Sequence, residues 1–318
     1  MTGLSRYKFF DLCLEIFSYL PVRRLLAIRI TSKDAVEYAK QFKGGNSRIQ
    51  SIKKWNACFP QATKANISGL QLCMVDMLYL TYVEDLEMSM CCPYGPLWSM
   101  GISWFRLPRL KKLTITDNTQ FTDECLSHFT DLEDLSISHS NQHITGSGFR
   151  VMTKLKRLTL NTMRRIEDQA LMGLPIEDLT IISNSRITDE GIRQLTRLTK
   201  LYLCWVRRVR GHGYENLPLK QIFISEVDVD RDVFQSFARL PIITFSQCHF
   251  MHSAYELLTK LEYLTIYESS FEEFDTLPKL LELGQFVQVH LVRCPEPSPS
   301  IQEKMGTRLK LTRRWTPC

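Results

Sequence analysis

One spacing returns along this chain and limits what it can fold into. Between Ile187 and Leu203, apolar residues fall at offsets 0, 5, 8, 11, 14 and 16: Ile187, Ile192, Leu195, Leu198, Leu201 and Leu203. The same template fits Phe121, Leu126, Phe129, Leu132, Leu135 and Ile137, then Ile144, Phe149, Met152, Leu155, Leu158 and Leu160. It fits again from Val229 to Phe245 and from Phe250 to Ile266. At Ile166 and Val209 it is one residue shorter. Seven consecutive units of one pattern mark a repeat architecture.

The spacing has a physical reading. Offsets 5 and 8 lie one helical turn apart, so both residues share a face of a short helix. Offsets 14 and 16 alternate, so both share one face of a strand. Each unit is therefore a helical turn followed by a strand, with apolar faces that only stacking can bury. The first inward strand position recurs at Ala65, Leu86, Leu113, Leu135, Leu158, Leu179, Leu201, Ile222, Ile243, Leu264 and Val289, at intervals of 21 to 27 residues. The expected fold is an α/β solenoid of ten to eleven strands, a curved parallel sheet with short helices on the convex side. The pairs Thr122-Asp123, Glu167-Asp168 and Thr188-Asp189 suit helix starts, where side-chain oxygens accept orphan N–H groups. The long interval before Leu113 holds Cys92-Pro93-Tyr94-Gly95-Pro96 and reads as a projecting loop.

The units resemble leucine-rich repeats, whose signature is L-x-x-L-x-L-x-x-N. Leu110, Leu113, Ile115 and Asn118 match it in full, as do Ile176, Leu179, Ile181 and Asn184. Elsewhere the Asn position holds Ser140, Met163, Val206, Val227, Cys248, Ser269 or Cys294. The family's ladder of buried amides is thus mostly missing, and packing is expected to hold those turns. The resemblance covers about residues 60–295.

Other classes are disfavoured. No run of about 18 apolar residues suggests a membrane helix, and the N-terminus lacks the apolar core of a signal peptide. The ten cysteines include no C-x-x-C pair, so neither a zinc framework nor a redox motif is expected. Their scatter suits a reducing compartment, cytoplasmic and also nuclear. The net charge of +6 is uneven: residues 61–300 carry 24 basic and 29 acidic side chains. A nucleic-acid binder concentrates positive charge in its main body, so nucleic acid is not an expected partner. Neither a G-x-S-x-G nor a P-loop occurs. The pairs His249/His252 and His139/His143 read as surface histidines. No catalysis, cofactor or metal is expected.

Residues 8–42 leave the repeat. Leu12, Ile16, Phe17 and Leu20 follow helical spacing, Pro21 stops that helix, and Leu25, Leu26, Ile28 and Ile30 begin another apolar stretch. Such a bundle is too small to be stable alone. The run Ile16-Phe17-Ser18-Tyr19-Leu20-Pro21, with Leu25 and Ser32-Lys33, resembles an F-box. Lys8-Phe9 stands where that family opens with Leu-Pro, and Ala35 where it has Trp. The resemblance implies docking onto a Skp-type adaptor of a cullin–RING ubiquitin ligase through Phe9, Leu12, Ile16, Phe17, Leu20, Pro21 and Leu25. An F-box before leucine-rich repeats is the arrangement of a substrate receptor. The alternative is a ligase-independent interaction scaffold whose N-terminal helices only cap the solenoid.

Residues flanking offsets 14 and 16 face away from the core, on the concave sheet. The N-terminal half of these columns is small, polar and alternately charged. The C-terminal half brings out Tyr202, Phe223, Ile242, Tyr263 and Tyr267, with Trp205 just beyond its strand. Exposed aromatics are enriched at binding hot spots, although Tyr and Phe also favour strands for their own sake. Arg164-Arg165, Arg186, and Arg207-Arg208 with Arg210 occupy equivalent loops of three successive repeats. They form either a ridge for an acidic or phosphorylated segment or a solvated, internally paired rim. The expected substrate site is Lys200, Tyr202, Trp205, Arg207, Arg208, Phe223, Tyr263 and Tyr267. The expected domains are a helical module (1–45), a connector (46–64), the repeat array (65–294), and a Pro-rich linker with a basic, weakly docked tail (295–318).

Overall fold

The computed structural model describes residues 51–72, 78–90, 92–93, 107–117, 121–139, 143–184, 186–206, 208–212, 214, 216–251, 254–269, 277–282 and 287–312. The F-box-like segment lies outside these, as do most of the projecting loop, Asn118 and Arg207. The described residues form two compact units. One runs to Ile144 and includes Val151–Leu155; the other holds Thr145–Arg150 and everything from Lys156 onward.

The first unit opens with helix α1 (Ile52–Cys58), which buries Ile52 and Trp55, followed by buried Phe59. It packs on a 3-10 turn at Leu78–Leu80. Four parallel strands follow in chain order: β1 (Lys64–Asn66), β2 (Asp85–Ser89), β3 (Lys112–Thr116) and β4 (Asp134–Ser138). Leu86, Leu113 and Leu135 share one register line, and Met88, Ile115 and Ile137 share the next. All six are fully buried. Helix α2 (Asp123–Leu126) starts at Thr122, whose N–H donates to the Cys125 sulfur at 3.3 Å. Cys92–Pro93 pairs with Gln71–Leu72 as a short parallel bridge.

The second unit carries eight parallel strands: β5 (Arg157–Asn161), β6 (Asp178–Ile182), β7 (Lys200–Cys204), β8 (Gln221–Ser225), β9 (Ile242–Ser246), β10 (Tyr263–Tyr267), β11 (Gln288–Val292) and β12 (Leu309–Thr312). Every expected inward leucine position from Leu158 to Val289 is buried. Across the core lie single helical turns. These are 3-10 turns at Ser147–Val151, Asp168–Leu171 and Tyr255–Leu257, helix α3 (Asp189–Arg193) and helix α4 (Arg231–Ser236). Both helices have side-chain caps: Thr188 accepts from the Glu190 N–H at 3.2 Å, and Asp230 from the Val233 N–H at 3.0 Å. Towards the C-terminus the core becomes aromatic. Phe234 meets Tyr255 edge-on at 5.2 Å, and Phe245 meets Phe250 at 5.1 Å.

Three features depart from the expectations. First, residues 295–312 are not simply a linker and tail. Pro299 opens helix α5 (Pro299–Met305), which buries Ile301 and Met305, and β12 then pairs with β11. A proline suits a first helical position, where its missing N–H costs nothing, so the Pro-rich composition begins a further repeat. Second, Asp168 and Asp189 do more than start their own helical turns. Asp168 accepts from the N–H (2.8 Å) and hydroxyl (2.6 Å) of Thr188 in the next repeat. Asp189 accepts from the N–H groups of Arg210 (3.1 Å) and Gly211 (2.9 Å).

Third, three of the turns lacking Asn keep polar anchors, while Met163 and Val206 fill theirs with buried apolar side chains, as packing alone requires. Asn184, fully buried, donates to the Met163 and Ile166 carbonyls at 2.8 and 3.2 Å. It accepts from the Arg186 and Ile187 N–H groups at 2.7 and 3.0 Å. At the equivalent places Cys248 donates its thiol to the Ile224 and Ser246 carbonyls, and Cys294 to those of Ile266 and Val292. Ser269 accepts from the Cys248 N–H at 3.1 Å and donates to the Tyr267 carbonyl at 3.0 Å. Thiol and hydroxyl thus replace part of the amide, rather than leaving those turns to packing alone.

Candidate functional site

Each five-residue strand presents its first, third and fifth residues outward. Parallel pairing without slippage sets these side chains in columns. In the second unit the first column reads Arg157, Asp178, Lys200, Gln221, Ile242, Tyr263, Gln288. The middle column reads Thr159, Thr180, Tyr202, Phe223, Thr244, Thr265, His290. The columns expected from the sequence are therefore present from β5 to β10, and β11 extends them.

Tyr202 and Phe223 are direct partners across β7 and β8. Their rings stack at 4.1 Å between centroids, only 4° from parallel. Each covers part of the other, so both are half-buried rather than fully exposed, as are Ile242 and Tyr267. Burial pushes the Tyr202 phenol up, with the neighbouring Cys204 adding to the effect, so the ring stays neutral at ordinary pH. Tyr263 is 48% exposed and Trp205 56%. Lys200 and Arg208 are exposed on the same repeat as Tyr202.

Trp205 is held in place by two means. It follows β7 with a left-handed backbone, φ 57°, and its N–H bonds to the Ser225 carbonyl of the next strand. Its indole N–H donates to the Glu226 carboxylate. Glu226 stands in the same left-handed position one repeat later. Further along that row, Gln247 donates to Glu268 at 2.9 Å, and Arg293 pairs with Glu268 from the other side. The Glu268 carboxyl is held below its usual range by Arg293 first and Gln247 second. Sequence reading found Trp205 but not this row of bonded side chains, because they meet only when strand ends align.

The arginine rim is mixed. Arg186 pairs with Glu167, while Arg164, Arg165, Arg208 and Arg210 are exposed. The surface is neither wholly paired nor wholly free. No group of three or more His, Cys, Asp or Glu side chains among the described residues could hold a metal ion. Burial pushes up the thiols of Cys125, Cys204, Cys248 and Cys294, which keeps them protonated and poorly nucleophilic. Among the described residues no helix is long and apolar enough to cross a membrane.

No family model matches the sequence, and no curated protein matches it. Solved structures do. A chain of the crystal structure of the Rad7 and Elc1 complex in yeast is 14% identical and superposes with a TM-score of 0.53 over 96% of this chain and 91% of the matched one. The TLR13–ssRNA13 complex gives 17% identity and a TM-score of 0.53 over 80% of this chain, which spans 40% of the larger matched chain. The octameric complex of latrophilin 3, Unc5D and the leucine-rich-repeat protein FLRT2 gives 14% and 0.50, over 79% and 83%. At such identities the likeness speaks for the fold, and it agrees with the register, the buried leucine lines and the Asn184 turn: this chain folds as a leucine-rich-repeat solenoid.

Proposed function

We propose that this protein is the substrate-recognition subunit of a Skp–cullin–F-box type ubiquitin ligase, acting in the cytoplasm and nucleus. The repeats bind a protein substrate, and residues 1–45 dock the Skp-type adaptor, which brings the substrate to the cullin–RING core. The stacked Tyr202–Phe223 pair carries the binding half of this reading. Rigid aromatic surface on an outward sheet face buries large area at little entropic cost when a partner covers it. The adaptor half rests on the F-box resemblance. The fold is compatible with such assemblies: a matched chain belongs to a complex of two proteins, Rad7 and Elc1.

The competing reading makes residues 1–45 a cap. One observation weighs against it: α1 already buries Ile52 and Trp55 and packs on the Leu78–Leu80 turn within the first unit. Co-expression with a Skp-type adaptor, followed by pull-down, separates the two. The full chain should co-purify with the adaptor, and Ile16→Asp with Leu20→Asp should abolish this. A chain shown folded by circular dichroism that never retains the adaptor is a scaffold, and the ligase reading then fails.

A further inference from the structure

A polar cavity of about 460 Å³ opens in the second unit, on loops flanking the strands. That is within the range of ordinary ligand pockets, roughly 300–1,000 Å³. Arg150, Arg165 and Arg186 line it, together with Glu167, Ser147 and Gln169. Two of the three arginines, Arg150 and Arg165, have no carboxylate partner among the described residues. Arg186 is bridged by Glu167.

The wall is built by close backbone approach. Gly146 has φ 90°, and a Cβ there would fall 2.3 Å from the Ala170 Cβ. Only glycine can take that place, so the cavity's shape is a property of the fold and not of mobile side chains alone.

We infer that this cavity receives a phosphorylated serine or threonine of the partner protein. Three arginines line one cavity in a stretch of chain, residues 61–300, where acidic side chains outnumber basic ones 29 to 24. Arginine forks match phosphoryl oxygens in bidentate geometry. Glu167 already pairs with Arg186, so an incoming Asp or Glu carboxylate would gain mainly from Arg150 and Arg165. A phosphoryl group brings a charge of about −1.5 to −2 and three strong acceptors, enough to engage Arg186 while Arg150 and Arg165 bind the rest. Among the described residues no aromatic ring lines the cavity, so a nucleobase would find none of them to stack on. The assignment to a partner protein rests on the reading of the repeats as a protein-binding array.

The test uses the full chain and two immobilised peptide libraries with degenerate flanks, one around a fixed phosphoserine and one around serine. Wild type should be retained on the phosphoserine library about tenfold better, the scale of one or two charge-assisted hydrogen bonds. Arg165→Glu and Arg150→Glu should remove the preference, and Arg165→Lys, which keeps the charge but loses the fork, should weaken it. Tyr202→Ala with Phe223→Ala should leave it intact, and so should Ile16→Asp with Leu20→Asp. Failure here is therefore distinct from failure of the aromatic face or of adaptor docking. Equal retention on both libraries overturns the inference, as does a preference unchanged by the Arg→Glu variants. Binding of inorganic phosphate as tight as that of the phosphopeptides would make this a free-anion site and overturn it too.

Discussion

The outward faces of the two units are built on the same backbone and carry opposite chemistry. In the first unit the leading column is Lys64, Asp85, Lys112, Asp134, and the middle column holds Glu87, Thr114 and Ser136. Charges of opposite sign sit on neighbouring strands, as in Lys64 and Asp85 at 3.9 Å, so the face largely satisfies itself. The second unit begins the same way with Arg157, Asp178 and Lys200, but from β7 onward the columns turn to Tyr202, Phe223, Ile242 and Tyr263. Beneath both, the inward lines are equally buried. Stability comes from the inward residues in either unit, which leaves the outward ones free to differ; the proposed recognition site lies where they are least self-sufficient.

Breaking the inside–outside alternation should have the largest effect. Phe245→Ala should cost about 3–5 kcal/mol in urea unfolding, whereas Thr244→Ala beside it should stay within about 0.5 kcal/mol. Comparable losses would mean that the faces are wrongly assigned. Next come the buried polar turns of the second unit. Asn184→Ala orphans two carbonyls and two N–H groups and should cost about 2–3 kcal/mol, with Cys248→Ala nearer about 1 kcal/mol because a thiol bonds more weakly.

The aromatic pair gives the direct contrast. A double-mutant cycle on Tyr202→Ala and Phe223→Ala should show a coupling of about 1 kcal/mol, and the matching Thr114→Ala and Ser136→Ala cycle in the first unit should show none. Smallest is a titration. Arg293 holds the folded-state pKa of Glu268 below its unfolded value, so the stabilisation is present above the unfolded glutamate range and is lost as pH falls through the lowered folded value. The NMR midpoint of Glu268 should lie below that of ordinary glutamates and rise in Arg293→Ala.

Much of this was legible in the sequence because the repeat is periodic. A period assigns every residue from Leu113 to Val289 a side of the sheet, and the columns formed as expected. What escaped reading depends on neighbours one repeat away. Asp168 reads as a helix starter because Thr188, its actual partner, is remote in sequence. Residues 294–300 read as a linker because Cys294-Pro-Glu-Pro-Ser-Pro-Ser300 resembles one, yet Pro299 opens a helix that buries Ile301 and Met305. The alignment of Arg165 with Arg186 was legible from their equivalent loops, but Arg150 joins them from a helical turn, and the close approach of Gly146 to Ala170 has no sequence pattern. The stacking of Tyr202 on Phe223 could have been found: equal offsets and an unbroken 21-residue step place the rings side by side.

After every strand from β2 to β11 the chain turns through a residue with φ between 45° and 59°, and none of the ten is glycine. Such a conformation costs a side-chain-bearing residue roughly 1–2 kcal/mol; in nine of the ten turns a backbone N–H bonded to the following strand opposes that strain. The positions divide accordingly. At Ser183, whose side chain bonds to no other repeat among the described residues, glycine would relax the turn and raise the thermal tolerance of the array. At Trp205, Glu226, Gln247, Glu268 and Arg293 glycine would also erase a bonded side chain. Thermostabilisation and molecular identity therefore compete for one torsion angle, and the competition is sharpest from Trp205 to Arg293.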